Sequence, residues 1–171
     1  DGIGCGILAQ LAFGKDNVEI SYCDYDNIDS TVKEYLETEQ DDTIPIYITD
    51  IRVNEKTAEL LNKRGNVQLL DHHPTALGLN KHDWCDVVIE DSKGIKTSGT
   101  MLFYHWLGMN GCLSEELENN KALERLAELV RDYDTWRWSE LGDEGVICKQ
   151  VNDLLYLYGR DDFCLLYTSP S

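Results

Sequence analysis

The tetrapeptide Asp71-His72-His73-Pro74 is the feature that most constrains the fold and chemistry of this chain. It follows directly after the apolar run 67–70, which is typical of a buried strand in a parallel sheet. A carboxylate and two imidazoles would therefore lie at the carboxyl end of a strand, the edge of an open α/β sheet at which ligands bind. Because Asp and His suit ions such as Mn, Zn or Fe that activate water, the pattern predicts a metal-dependent active site.

The rest of the chain alternates between short apolar runs and helical periodicity, as a parallel sheet with crossover helices requires. Strands are predicted over 18–23, 44–49, 67–70 and 87–90, and helices over 3–13, 30–37, 55–63 and 98–109, followed by a helical remainder. Ser98 or Thr97 is expected to cap the helix over 98–109, and Ser114 to cap a later one. We therefore expect an α/β fold with a parallel β-sheet flanked by helices.

Acidic residues follow several of the predicted strands. Asp50 ends the run 46–49, and Asp1 precedes a glycine-rich turn of the kind that joins a strand to a helix. In a parallel sheet both would lie at the same edge as Asp71 and His72. Like charges gathered so closely raise one another's pKa unless a cation neutralises them, so a metal, and more specifically a pair of metals, is expected.

A further acidic pair lies in the segment 131–136, at the end of an amphipathic helical pattern. Asp132 and Asp134 are two positions apart, so both cannot point the same way from a helix end. Asp134 is our candidate ligand, with a solvated helix-end charge as the alternative for each of the two.

Composition limits the classes of protein that this chain can belong to. Its 171 residues, 42% of them hydrophobic, suffice for one core and one domain. No apolar run approaches the length of a membrane span, so no membrane partner is expected. The net charge of -17 argues against binding to long duplex nucleic acid, which needs Lys and Arg, but is compatible with a short phosphate substrate held by metal ions. The six cysteines are scattered without a CxxC pair, as in a reduced, cytoplasmic protein.

Four motifs in order resemble those of the DHH phosphoesterase superfamily: the opening segment 1–6, Asp50, the segment 70–76 and the segment 131–136. This superfamily includes RecJ-type exonucleases, nano-RNases that degrade short oligoribonucleotides, cyclic-dinucleotide phosphodiesterases and one class of pyrophosphatases. The segments 70–76, 96–100 and 131–136 are most similar to the nano-RNase B-like oligoribonuclease branch.

The resemblance implies a two-manganese site, with Mg2+ or Co2+ as alternative ions. The positions that match the family's metal ligands are Asp1, Asp50, His72 and Asp134. His73 would contact the scissile phosphate and Asp71 would orient an imidazole, so these two are the candidate catalytic residues. The other ligands of the second ion would lie upstream of Asp1.

The implied function is a metal-dependent phosphodiesterase that hydrolyses short oligoribonucleotides with metal-activated water. One alternative is a phosphatase for 3′-phosphoadenosine 5′-phosphate or another small nucleotide, and another is a metal-binding module without turnover. The expected partner is a short oligoribonucleotide or small nucleotide, and a homo-oligomer is left open. We expect residues 1–166 to form a truncated catalytic domain that lacks its first strand and the family's C-terminal substrate-binding domain, and 167–171 to be a non-native or truncated tail.

Several other residues are interpreted without a role in the site. The glycines of segment 2–6 do not fit a dinucleotide fingerprint, because the third is misplaced. Isolated basic residues in so acidic a chain are expected to pair with neighbouring carboxylates, namely Lys96, Arg131 and Arg137. His82 and His105 are interpreted as core or surface residues. The tryptophans Trp84, Trp106, Trp136 and Trp138 are interpreted as core anchors rather than base-stacking platforms.

Overall fold

The computed structural model describes residues 1–168, apart from the side chains of 161, 167 and 168. Its strands are β1 (Ile46–Thr49), β2 (Val67–Asp71) and β3 (Cys85–Val87), and its α-helices are α1 (Gly2–Phe13), α2 (Ile28–Thr38), α3 (Glu55–Arg64), α4 (Gly99–Met109), α5 (Glu115–Glu118), α6 (Lys121–Asp134) and α7 (Asp143–Thr168). The helix α7 is interrupted at Gly159, whose backbone is not helical. Short 3-10 helices cover Lys15–Asn17, Pro74–Lys81 and Arg137–Glu140. Residues 169–171 of the expected tail lie outside the described residues.

The strands form a parallel sheet in the order β1-β2-β3, which confirms the predicted α/β architecture. The alternation of side chains along β2 sends neighbouring residues to opposite faces. Leu69 packs in one core cluster with residues of α2 and α3, whereas Leu70 packs in a second cluster with residues of α1, α4 and α6. Helices therefore cover both faces of the sheet, and the carboxyl ends of β1 and β2 lie side by side.

The two predicted helix caps, at Ser98 and Ser114, are present at the starts of α4 and α5. The Ser98 hydroxyl accepts a hydrogen bond from the backbone N–H of Met101 at 3.2 Å, and Ser114 accepts one from Leu117 at 3.3 Å. Each side chain satisfies one of the N–H groups that the first turn of a helix leaves without an internal partner. The cap at Ser98 fixes where α4 begins, which matters because the start of α4 lies at the candidate site.

The prediction of a strand over 18–23 is wrong. Val18 is extended, with φ -126° and ψ 124°, but the segment makes no ladder with β1. A cavity of about 620 Å³, lined by residues of both segments, lies between them. Paired strands must lie about 4.8 Å apart. Because the segment 18–23 has no strand at that distance, its chain is extended but does not form a strand, although its apolar residues alternate.

The last predicted strand, over 87–90, is placed two residues too late. The strand β3 begins at Cys85 and ends at Val87. The backbone N–H of Val88 still donates to the carbonyl of Asp71 at 3.0 Å, but Glu90 instead forms an isolated antiparallel bridge with Lys96. The chain thus leaves the sheet earlier than its apolar pattern indicates.

The described residues contain no disulfide, and two of the cysteines are shielded chemically as well as sterically. Burial raises the pKa of the Cys5 thiol to about 11 and that of Cys85 to about 12. We expect a disulfide-exchange reagent at pH 8 to modify the half-buried Cys23 and Cys112 well before Cys5 and Cys85, since only the thiolate reacts. Peptide mapping after timed labelling checks this order, with urea-unfolded protein as the control, and early modification of Cys5 would contradict it.

Candidate metal centre

Asp50 follows β1 at the point where the chain leaves the sheet. Its backbone N–H donates to the carbonyl of Leu70 at 2.9 Å, which ties it to β2. Its φ is +63°, in the left-handed region that residues other than glycine rarely adopt. The conformation is therefore imposed by the surrounding structure and turns the carboxylate toward the residues that follow β2.

The N-terminus of α4 holds the carboxylate of Asp1. Its Oδ2 accepts a hydrogen bond from the backbone N–H of Gly99 at 2.7 Å, and its Oδ1 accepts one from Thr100 at 2.8 Å. The hydroxyl of Thr100 donates in addition to the backbone carbonyl of Asp1 at 2.8 Å. The positive end of the α4 dipole favours a carboxylate there, and the two hydrogen bonds fix its position.

His72 places its imidazole at the centre of three carboxylates. Its Nε2 lies 3.2 Å from an oxygen of Asp50, 3.3 Å from one of Asp134 and 3.5 Å from one of Asp1. Asp134 is the last residue of α6, so the three acids come from three different parts of the fold. The four candidate ligands are thus brought together, and we call Asp1, Asp50, His72 and Asp134 the four-residue cluster.

The electrostatics of the four-residue cluster favour a cation. Burial of the His72 ring opposes its protonation, but the carboxylates of Asp50, Asp134 and Asp71 outweigh that effect and raise the pKa of His72. Three carboxylate oxygens and one imidazole nitrogen form a donor set that suits a divalent transition-metal ion, so the residues present fit such an ion.

Asp71 is fully buried and orients His73 rather than His72. Its Oδ1 accepts from the backbone N–H groups of His72 at 2.8 Å and of His73 at 3.3 Å, and it lies 2.7 Å from Nδ1 of His73. Since Nδ1 donates to this carboxylate, Nε2 of His73 is left to face the neighbouring cavity. The His73 side chain is 35% exposed, so it is fixed at one end and accessible at the other.

A second group of potential ligands overlaps with the first. Asp50, Asp71, His72 and His73 each offer an atom, and these atoms all lie within 4.8 Å of one another, as do those of Asp1, His72 and Asp134. Three donors already occupy Oδ1 of Asp71, while its Oδ2 is buried without a hydrogen-bond partner among the described residues. The four-residue cluster is the preferred candidate site because Nε2 of His72 lies within 3.5 Å of an oxygen of each of its three acids.

Asp132 has a different role from Asp134, although the two residues are close in sequence. Asp132 is buried, and its Oδ1 accepts hydrogen bonds from Nε of Arg131 at 2.9 Å and from an Nη of Arg137 at 3.0 Å. The expected pairing of these two arginines with a neighbouring carboxylate is confirmed. The alternative of a solvated helix-end charge is wrong for Asp132, which instead ties the end of α6 to the turn that follows.

The tryptophans divide between two environments. Trp84 and Trp106 pack against the core clusters, and Trp138 is half-buried with its ring 6.2 Å from that of Tyr133. The interpretation as a core anchor is wrong for Trp136, whose side chain is 72% exposed. The helix α6 ends at Asp134, and Trp136 lies in a left-handed turn after it that leaves the side chain at the surface.

Gly99 is a site residue that sequence reasoning missed. A Cβ atom on Gly99 would lie 2.6 Å from Cβ of Asp50 and 2.8 Å from its Cα, which are distances that real Cβ atoms essentially never show. The α4 helix can approach Asp50 this closely only because the residue is glycine. The one signal in the sequence is a glycine directly after the Ser98 cap, where most residues would form a helix better.

We expect Asp71→Ala to lower the free energy of unfolding by about 2–3 kcal/mol, because two buried N–H groups and an imidazole lose their common acceptor. Urea denaturation measures this loss. Asp86→Ala on β3 is the matched control, since that carboxylate is exposed and, among the described residues, accepts a hydrogen bond from the side chain of Gln68. Equal effects of the two substitutions would contradict the structural role of Asp71.

Comparison with known proteins finds sequence similarity to a protein that is named as a nuclease. No family model matches the chain. It is 43% identical over 169 residues to oligoribonuclease NrnB of Bacillus subtilis (strain 168), and the match covers 95% of this chain and 41% of that protein. The chain thus spans less than half the length of this relative.

A solved structure shares the fold. The crystal structure of an uncharacterized protein from Helicobacter pylori G27 superposes with a TM-score of 0.63 at 19% identity, over 97% of this chain and 56% of that one. At this identity the likeness concerns the fold alone. The similarity to NrnB, over nearly the whole of this chain, confirms the resemblance to the DHH phosphoesterase superfamily and its oligoribonuclease branch.

Proposed function

We propose that residues 1–166 form the metal-binding catalytic domain of a phosphodiesterase that hydrolyses short oligoribonucleotides. The observation that carries this proposal is the convergence of three carboxylates on Nε2 of His72, each within 3.5 Å. The similarity to a protein named oligoribonuclease supports the substrate class.

The proposed ion is Mn2+, with Mg2+ or Co2+ as alternatives, held by the four-residue cluster. When bound, divalent ions activate water and offset the negative charge that builds on the phosphoryl oxygens. We propose two such ions in the full-length protein. Asp1 and Asp50 are the ligands that the fold positions most firmly. Hydrogen bonds from α4 fix Asp1, and the backbone hydrogen bond from Asp50 to Leu70 fixes Asp50.

His73 is proposed to bind a non-bridging oxygen of the scissile phosphate. Its Nδ1 lies 2.7 Å from Oδ1 of the buried Asp71, which fixes the orientation of the ring. The opposite edge of the ring, which carries Nε2, is the part that can contact a phosphate oxygen. Because Asp71 is rigidly held by the strand β2, the ring does not have to be reoriented when the substrate binds.

The charge of the chain favours short substrates over long ones. The net charge of -17 repels a polynucleotide, and among the described residues Arg131 and Arg137 near the cluster are bound to Asp132. A substrate with few phosphates carries a smaller electrostatic penalty, which ions at the cluster can offset.

The test is hydrolysis of a 5′-labelled pentaribonucleotide by the full-length protein with and without Mn2+. Stepwise, Mn2+-dependent shortening is the expected result. Cleavage of 3′-phosphoadenosine 5′-phosphate alone would replace the oligoribonuclease with a small-nucleotide phosphatase. Binding of Mn2+ without cleavage of either substrate would indicate a non-catalytic metal-binding module.

A further inference from the structure

Trp136 has a conformation that neither backbone preference nor burial explains. Its φ of 63° and ψ of 8° place it in the left-handed region, which is a genuine outlier for a bulky residue. It lies two positions after the end of α6, where helices commonly use glycine. Its side chain nevertheless stays 72% exposed, so burial of the ring does not offset the backbone strain.

The surrounding hydrogen bonds hold this conformation firmly. The backbone N–H of Trp136 donates to the carbonyl of Tyr133 at 3.1 Å, and its own carbonyl accepts from the backbone N–H and the hydroxyl of Ser139. The next residue, Arg137, is tied to the buried Asp132 at 3.0 Å. The turn is therefore fixed on both sides and presents the indole in a defined place.

Trp136 is close in the chain to Asp134 of the four-residue cluster, and its indole contacts another aromatic ring. Trp136 follows Asp134 by two residues, so their Cα atoms are at most about 7 Å apart. The Trp136 ring is 6.0 Å from that of Trp138, which stacks in turn on Tyr133 at 6.2 Å. A nucleotide whose phosphate lies at the cluster can thus reach a supported aromatic surface with its base.

We propose that Trp136 forms a subsite on which a nucleobase of the substrate stacks, next to the scissile phosphate. This inference rests on the function proposed above and adds to it a contact with the base. An aromatic face binds any base, so the subsite contributes affinity without selecting a sequence. It also supplies attraction that does not depend on positive charge, which this acidic chain largely lacks.

The first experiment uses the full-length protein and compares a pentaribonucleotide with the same oligomer lacking its terminal base. We expect Trp136→Ala to raise KM for the complete substrate about tenfold with a smaller change in kcat, and to leave KM for the abasic substrate nearly unchanged. Trp136→Phe should restore most of the loss. Met109→Ala is the control, since Met109 is 80% exposed at the far end of α4.

A second variant separates binding from folding. Trp136→Gly relieves the left-handed strain, so we expect its melting temperature to be unchanged or higher while its KM rises as in Trp136→Ala. A purely structural role predicts the opposite, namely a lower melting temperature. A KM that stays at the wild-type value in Trp136→Ala, or that rises equally for the abasic substrate, would overturn the proposal.

Fluorescence distinguishes failure of this proposal from failure of the proposed function. Short oligoribonucleotides should quench part of the tryptophan fluorescence of the full-length protein, and this quenching should be lost in Trp136→Phe even if no cleavage occurs. An indole already shielded from acrylamide in the absence of nucleotide would show that another part of the protein covers Trp136, and would also overturn the proposal.

Discussion

Replacement of His72 by alanine is expected to abolish Mn2+-dependent hydrolysis of short oligoribonucleotides, with a loss of more than about a hundredfold in kcat/KM. The substitution removes the atom on which the carboxylates of Asp1, Asp50 and Asp134 converge within 3.5 Å. Mn2+ affinity, measured by calorimetry, should fall with the activity. Asp50→Ala should have a comparable effect, and relief of acid crowding should leave the fold largely intact in that variant.

His105→Ala is the matched control for the loss of an imidazole. His105 is exposed on α4, and its described ring contact is with Tyr104 at 5.8 Å. Its substitution should change neither Mn2+ affinity nor hydrolysis. Retention of metal-dependent activity in His72→Ala or Asp50→Ala, with circular dichroism unchanged, would show that the four-residue cluster is not the active site.

Gly99→Ala is expected to lower Mn2+ affinity at least tenfold, although it adds only one methyl group. That group would lie 2.6 Å from Cβ of Asp50, so either α4 or Asp50 must move. The backbone N–H of Gly99 holds Asp1 at 2.7 Å, and the backbone N–H of Asp50 is bonded to Leu70. Any relief of the clash therefore separates two candidate ligands, a displacement that typically costs 10–100-fold in affinity.

Gly108→Ala provides a control within the same helix. A Cβ atom on Gly108 would have no neighbour within 4 Å. We expect this substitution to raise stability by about 1 kcal/mol through helix propensity and to leave Mn2+ binding unchanged. If thermal denaturation and calorimetry show the same response for both glycines, the close contact between α4 and Asp50 does not position the site.

The sequence predicts those site residues that directly follow a local pattern of apolar residues. Asp50 and Asp71 each end an apolar run, and parallel pairing of such runs brings their carboxyl ends to one edge. The fold class follows from the same alternation of runs and helical segments. By contrast, the tetrapeptide 71–74 does not specify the directions of its side chains. The sequence therefore does not predict that Asp71 orients His73 rather than His72.

The features that escape prediction depend on distances between segments far apart in the chain. The segment 18–23 has the alternation of a strand, yet the cavity beside β1 leaves it without a pairing partner. Gly99 looks like an ordinary helix residue until its distance to Asp50 is known. In the sequence Trp136 follows the amphipathic pattern of α6, but a left-handed turn after α6 leaves its side chain at the surface.

The proposed function requires Asp1, Asp50, His72 and Asp134 to hold a divalent metal ion together. This can be tested with a crystal structure of the full-length protein grown with Mn2+, with anomalous scattering recorded near the manganese absorption edge. We expect an anomalous peak within about 2.3 Å of a carboxylate oxygen of each acid and of Nε2 of His72. Manganese bound elsewhere, with these four side chains contacting only one another, would contradict it.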